Sequence, residues 1–272
     1  MKTILMTGVC GGMGTASAAM LLENGWSVIG IDRRERCDVA GVRYFQADLS
    51  DRAGLDAICR SLKEEGAQLD AIAHFAGIYD MNSLIVISEA DFGRIFAVNL
   101  FGIYRVNKIF LPLLNGGGRI VMTSSELAPL DPLPFTGLYG ITKSAVERYA
   151  FSLRMELNLL GYRVSVIRPG AVDTGLLGDS TAALDRLCNR TELYRCNTAR
   201  FKTIVEGVES RKVPAEKIAQ TLMRALKARK PKFVYNVNRN PLLLLLNALP
   251  DRWQVAIIGK ILKPKRTDQT RA

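Results

Sequence analysis

The chain has 272 residues, 48% hydrophobic and 23% charged, which suits a globular protein with a sizeable core and excludes an intrinsically disordered one. Its formal charge is +11, but the basic residues are spread along the chain with mild clusters at 33–36, 227–232 and 260–266, and no zinc-finger spacing or RNA-binding motif accompanies them. A solvated basic surface suited to anionic ligands or membranes is therefore expected, and nucleic acid is not. Five cysteines without a CxxC pair read as free thiols in a reducing, cytoplasmic setting, and a lone histidine, His74, excludes a histidine-rich metal site.

The start, MKTILMTGVCGGMG, has the look of a secretory signal, but its apolar run is short and lies against glycines, so a first strand over 2–7 explains more. A Gly-rich turn and the helix-forming stretch Ala16–Leu22 follow. WSVIGID (26–32) predicts a second buried strand, VRYFQAD (42–48) a third, and 52–65 an amphipathic helix. LDAIAHFAG (69–77) predicts a fourth strand, 89–114 a helix with a break near Asn99, and GRIVMTSS (118–125) a fifth strand. A long helix over 139–160, a strand over 162–170, a helix over 214–228 and a last strand over 231–238 complete the pattern. Val- and Ile-rich strands alternating with helices imply an α/β fold, a doubly wound parallel sheet of about seven strands with helices on both faces. Residues 1–238 form its body and 239–272 a helical extension of the same domain. No run of about eighteen apolar residues indicates a membrane-spanning helix.

Two places carry chemistry. The turn TGVCGGMG (7–14) places Gly8, Gly12, Met13 and Gly14 between a strand and a helix, where a backbone free of Cβ atoms and a helix N-terminus can receive a pyrophosphate. Asp32, at the end of the second strand, suits the ribose hydroxyls of an adenosine and repels a 2′-phosphate. Arg33 and Arg34 beside it pull towards NADP, although NAD remains the expected cofactor. Asp48 and Leu49, at the end of the third strand, are candidates to border the adenine.

The second place is Tyr139-Gly-Ile-Thr-Lys143. Four residues apart on a helix, the two side chains share a face. A phenol with an ordinary pKa of about 10 needs a neighbouring cation to reach the neutral range, and Lys143 is placed to supply it. Ser124 and Ser125 close the fifth strand and can reach the same crevice. Asn99 is a poor helix former in a helical stretch, either breaking the helix and seating a water or simply facing solvent.

Taken in order, TGVCGGMG, Asp32, HFAG (74–77), Val98-Asn99, Ser124-Ser125, YGITK (139–143) and PGAVDT (169–174) resemble the short-chain dehydrogenase/reductase family from Thr3 to about Asn238. The resemblance implies a Rossmann-type fold and a tetrad of Asn99, Ser125, Tyr139 and Lys143. In it Tyr139 exchanges the substrate proton and Lys143 lowers its pKa and holds the nicotinamide ribose. Ser125 orients the substrate oxygen, and Asn99 seats a water. It also implies cofactor contacts from Ala76, Gly77, Pro169, Gly170, Val172 and Thr174, and a homodimer or homotetramer built on the helices at 99–114 and 139–160. The chain departs from the pattern where His74 and Phe75 replace two asparagines, and His74 is read as structural. Ser125 also stands fourteen residues before Tyr139 instead of thirteen, which leaves Glu126 at the usual spacing.

Leu176, Leu177, Leu184, Leu187 and Tyr194 suit either a hydrophobic substrate pocket or ordinary helix packing. After Pro241, Leu242–Leu246, Leu249, Trp253, Val255, Ile257, Ile258, Ile261 and Leu262 stand close to Lys260, Lys263, Lys265 and Arg266. Such a stretch (241–266) suits peripheral contact with a membrane, a hairpin packed on the protein's own body or a partner, or a substrate lid. The expected function is an NAD-dependent oxidoreductase of a lipophilic secondary alcohol, first of all a hydroxysteroid. The alternatives are an NADP-dependent reductase of another lipid, such as a retinoid or acyl chain, and a dinucleotide sensor without catalysis.

Overall fold

A computed structural model describes residues 1–209 and 211–263, with the side chains of 176–181, 190, 206, 208 and 209 outside that description. Its first half runs β1 (Lys2–Thr7), α1 (Gly12–Glu23), β2 (Trp26–Asp32), β3 (Arg43–Gln46), α2 (Arg52–Glu64) and β4 (Leu69–His74). Then come α3 (Glu89–Phe96), a π-helical turn (Ala97–Gly102), α4 (Ile103–Phe110) and a 3-10 turn (Leu111–Leu113). The chain continues as β5 (Leu114–Thr123), α5 (Gly137–Asn158), β6 (Arg163–Pro169), β7 (Val172–Asp173), α6 (Gly175–Arg190) and α7 (Arg195–Glu209). It closes with β8 (Val213–Pro214), α8 (Glu216–Lys227), β9 (Val234–Val237), α9 (Pro241–Asn247) and α10 (Asp251–Leu262).

Seven strands form one parallel sheet in the order β3-β2-β1-β4-β5-β6-β9. Because successive side chains of a strand point to opposite faces, each strand feeds two layers. Leu5, Ile31, Ile72, Ile120, Met122 and Val166 meet α2, α4 and α5. Ile4, Met6, Val28, Ala73, Val121 and Ile167 meet α1 and α8. Each large aliphatic side chain so buried contributes about 1.5–3 kcal/mol. Strand order reverses between β1 and β4, so the carboxyl ends of these two strands open a crevice at the switch point.

The expected α/β architecture is present, with differences at the edges. The β4 strand stops at His74 and the following FAG is a loop; β5 begins at Leu114, drawing Gly116–Gly118 into the strand. The short pair β7–β8 has no signal in the sequence, since its members hold two residues each. The expected break near Asn99 is a π turn that keeps the helix continuous in space.

The 174–214 segment folds as the hairpin α6–α7. Leu184 and Leu187 are buried in a third cluster with Met81, Phe135, Phe201 and Leu262, and Tyr194 lies edge-on to Phe135. These three serve helix packing; Leu176 and Leu177 lie outside the described side chains. The tail does pack on the body. Ile258 and Leu262 enter the third cluster, Gln254 Nε2 donates to Asp131 Oδ2 at 2.8 Å, and Asp131 N donates to Asn247 Oδ1 at 2.6 Å. Lys265 and Arg266 lie outside the described residues. Among the described residues no helix is long and apolar enough to cross a membrane.

Candidate active site

The crevice is a cavity of about 620 Å³, open to solvent at the carboxyl ends of β1, β2, β4, β5 and β6. Its floor is the β1–α1 turn. Gly8 has φ +71°, and a Cβ there would fall 2.3 Å from Ala76 N; a Cβ on Gly14 would fall 2.1 Å from Gly8 O. Only glycine therefore lets this turn lie against the β4 loop. Gly8, Gly12, Met13 and Gly14 all face the cavity. Helix α1 opens there with Gly11 as its N-cap, no side-chain cap and no acidic residue in its first turn. Its leading N–H groups and the positive end of its dipole are left for an anion.

Asp32 stands at the rim. Its Oδ2 accepts from Cys10 N at 3.0 Å and its Oδ1 from Arg34 N at 3.2 Å, which fixes the carboxylate towards the cavity. Arg33 lines the same end, and Arg34 does too but gives Nη1 to Cys10 O at 2.7 Å. Asp48 and Leu49 close that end; Ser50 holds the Asp48 carboxyl below its ordinary range, with Arg33 adding attraction. A glycine turn at an uncapped helix start, followed by a fixed carboxylate, matches the shape and charge of a dinucleotide.

At the other end Tyr139 and Lys143 rise from α5, both buried and both on the wall. Lys143 Nζ donates to Thr123 O at 3.0 Å and lies 5.6 Å from the Tyr139 ring centroid. Burial brings the lysine down to about 8 and drives the Tyr139 phenol above its ordinary value, opposed by a hydrogen bond from Ser125. The lowering expected from Lys143 is not seen: desolvation dominates, and Ser125 is the group that opposes it.

Residues 124–126 differ in their partners. Ser124 Oγ donates to Glu147 Oε1 at 2.7 Å, Glu126 Oε2 accepts from Asn240 N at 2.7 Å, and Ser125 is the one that meets Tyr139. Ala76, Gly77, Pro169, Gly170, Val172 and Thr174 line the cavity as expected.

Asn99 does not reach the wall. From the π turn its Oδ1 accepts from Ile78 N at 2.7 Å, while its Nδ2 donates to Ile78 O at 2.9 Å and Thr142 Oγ1 at 3.1 Å. It therefore braces the loop after β4 against α5, behind Gly77. His74 is also set back, buried with Nε2 2.8 Å from Asn107 Oδ1, and burial lowers its pKa to about 4. Its structural reading stands.

Two features were missed, Glu147 and the apolar end of the cavity, and a third, Glu126, was noted only for its spacing to Tyr139. Glu147 pairs with Arg168 beneath the site and joins β5, α5 and β6 through Ser124. Its signal was a glutamate one turn after Lys143 on a mostly buried helix face. Glu126, raised in pKa by burial, lies on the wall itself. The apolar end of the cavity comes from Tyr79, Leu133, Phe201, Ile204, Val205 and Leu243. These come from four separate segments, and no local spacing announces them.

The family described as short chain dehydrogenase matches residues 2–185. The 3-ketodihydrosphingosine reductase of Bacteroides thetaiotaomicron is 25% identical over 254 residues, covering 93% of each chain. The 3-ketoacyl-(acyl-carrier-protein) reductase of Brucella melitensis, solved with NADH, superposes with a TM-score of 0.69 at 20% identity, covering 87% of this chain and 96% of that one. The alcohol dehydrogenase of Thermococcus sibiricus, solved with 5-hydroxy-NADP, gives a TM-score of 0.69 at 22% identity over 88% and 96%. With its family match spanning both ends of the crevice, this chain belongs to the short-chain dehydrogenases and is an NAD(P)-dependent oxidoreductase.

Proposed function

We propose that the protein interconverts a lipophilic secondary alcohol and its ketone, with NAD as the preferred dinucleotide. The observation that carries the substrate class is the cavity beyond Tyr139, where Tyr79, Leu133, Phe201, Ile204, Val205 and Leu243 form an apolar chamber. The Tyr79 ring stands edge-on to Tyr139, its centroid 4.3 Å away, and shields the phenol from water.

The nicotinamide dinucleotide supplies or accepts the hydride. Everything else falls to the protein. The β1–α1 turn receives the pyrophosphate, Asp32 the adenosine ribose, and 169–174 the nicotinamide end. Ser125 donates a hydrogen bond to the substrate oxygen and holds it against Tyr139. In reduction the neutral phenol gives its proton to the carbonyl oxygen; in oxidation the phenolate takes it back. Lys143, easily deprotonated at a pKa of about 8, can replace that proton. Asp32 favours NAD because a 2′-phosphate would meet its charge at close range, while Arg34 is already tied to Cys10 O.

A hydroxysteroid is the substrate expected first from the sequence. The full-length resemblance to a 3-ketodihydrosphingosine reductase favours a second reading, a long-chain lipid with a ketone near its polar end. Nicotinamide absorbance with NAD and NADP, against hydroxysteroids, 3-keto long-chain lipids and small polar alcohols, separates them. Turnover of either lipid class supports the lipophilic reading and identifies the skeleton. Turnover of the polar alcohols alone contradicts it.

A further inference from the structure

The tail helices are anchored on one side and bare on the other. On α10, Gln254, Ile258 and Leu262 recur every four residues and face the body. Trp253 and Lys260, seven residues apart, share the opposite face. Trp253 is 54% exposed and Ile261, about a quarter-turn round the helix from it, 47%; Val255, 74% exposed, lies on another side of the helix. On α9, Leu242 and Leu245 share a face and are 61% and 66% exposed. An anchored hairpin has no need of so many large apolar side chains in water, so the bare side of α9 and α10, with Leu242, Leu245, Trp253 and Ile261, fits a partner.

Charge identifies the partner. Over 239–263 the only acidic residue is Asp251, against Arg239, Arg252, Lys260 and Lys263, in a chain already at +11. Arg252, Lys260 and Lys263 are exposed among the apolar side chains. Apolar groups ringed by cations, with a tryptophan at their edge, match the interface of an anionic bilayer. We propose that α9 and α10 dock the enzyme on an anionic lipid surface. Leu243, between the two exposed leucines in sequence but on another side of α9, lines the cavity, so the docking helix also walls the chamber beside Tyr139.

Flotation of the full chain with vesicles of phosphatidylcholine, with and without phosphatidylglycerol, tests this without any substrate and is independent of the proposed reaction. Binding to the anionic vesicles, weakened by salt, is expected. Trp253 emission should shift to the blue and be quenched by brominated lipid, a signal absent in Trp253→Phe because Trp26 is buried. The exposed pair Lys260→Gln/Lys263→Gln should bind about twentyfold or more weakly, near fivefold per charge. No binding to anionic vesicles, or equal binding to both kinds, overturns the proposal. An oligomer that Leu245→Glu dissociates, in a wild type that ignores vesicles, overturns it in favour of a second copy of the chain.

Discussion

Desolvation sets the protonation of the buried groups around the crevice. His74 shows this most cleanly, being the only histidine. Its pKa of about 4 lies below the ordinary 6.5, so between these values the unfolded chain binds the extra proton. Stability therefore rises with pH across that window, by about 3 kcal/mol in total, and the benefit is lost as pH falls to 4. The raised carboxyls of Asp80 and Glu126 act with the opposite sign, because there the folded state holds the proton longer. Denaturant unfolding at pH 4 and 6.5 should show a shallower loss for His74→Gln, which keeps a donor for Asn107 Oδ1; an unchanged slope would mean that His74 is not held neutral. At the rim, Asp32→Ser should shift the ratio of kcat/KM for NAD over NADP by about five- to thirtyfold towards NADP, one charge contact being worth roughly 1–2 kcal/mol there. An unaltered ratio would mean that Asp32 does not face the ribose. Cys10 lines the cavity, yet burial and then Asp32 raise its thiol to about 11, so alkylation at neutral pH should be slow, as following the modified mass would show.

Elements hold the site through side chains that sit behind it. Glu147 lies nearly buried between Ser124 and Arg168 and fastens β5 to α5 and β6. Glu147→Ala leaves the mostly covered Arg168 unpaired, and urea unfolding should show a loss of about 3 kcal/mol. A loss below 1 kcal/mol would mean that the pair is freely solvated. Local signals at this scale were legible where they were strong. The alternating layers of β1, β2, β4 and β6 and the amphipathic α2 follow from apolar spacing, and Gly8 and Asp32 follow from their place at strand ends. The ends of β4 and β5 were misplaced because FAG and GGG carry no periodicity; hydrogen bonds and neighbouring strands decide there. Asn99 was readable as a helix breaker, but not as a brace, since its partners Ile78 and Thr142 lie in other elements. The leucines of α6 suited pocket or packing equally; Leu184 and Leu187 pack, and within the hairpin it is Phe201, Ile204 and Val205 of α7 that line the chamber. Which helix of a hairpin faces inward is a tertiary matter.

For the whole molecule, the two-faced sheet buries its own strands but leaves Phe101 and Tyr104 exposed near α4, and Phe151, Met155, Leu159 and Leu160 exposed on or beyond α5. We expect these to meet in a homodimer or homotetramer. Sedimentation velocity should give an oligomer, and Phe151→Glu/Met155→Glu a smaller species; a wild-type monomer would contradict this. We expect one crevice both to bind the dinucleotide and to move the proton through Tyr139. Tyr139→Phe tests it directly, with NADH binding followed by fluorescence and turnover by absorbance on the same preparation. Unchanged NADH affinity with turnover reduced by a factor of about 10³ or more is the predicted result. Turnover within a few-fold of wild type would contradict the assignment of Tyr139 as the proton donor.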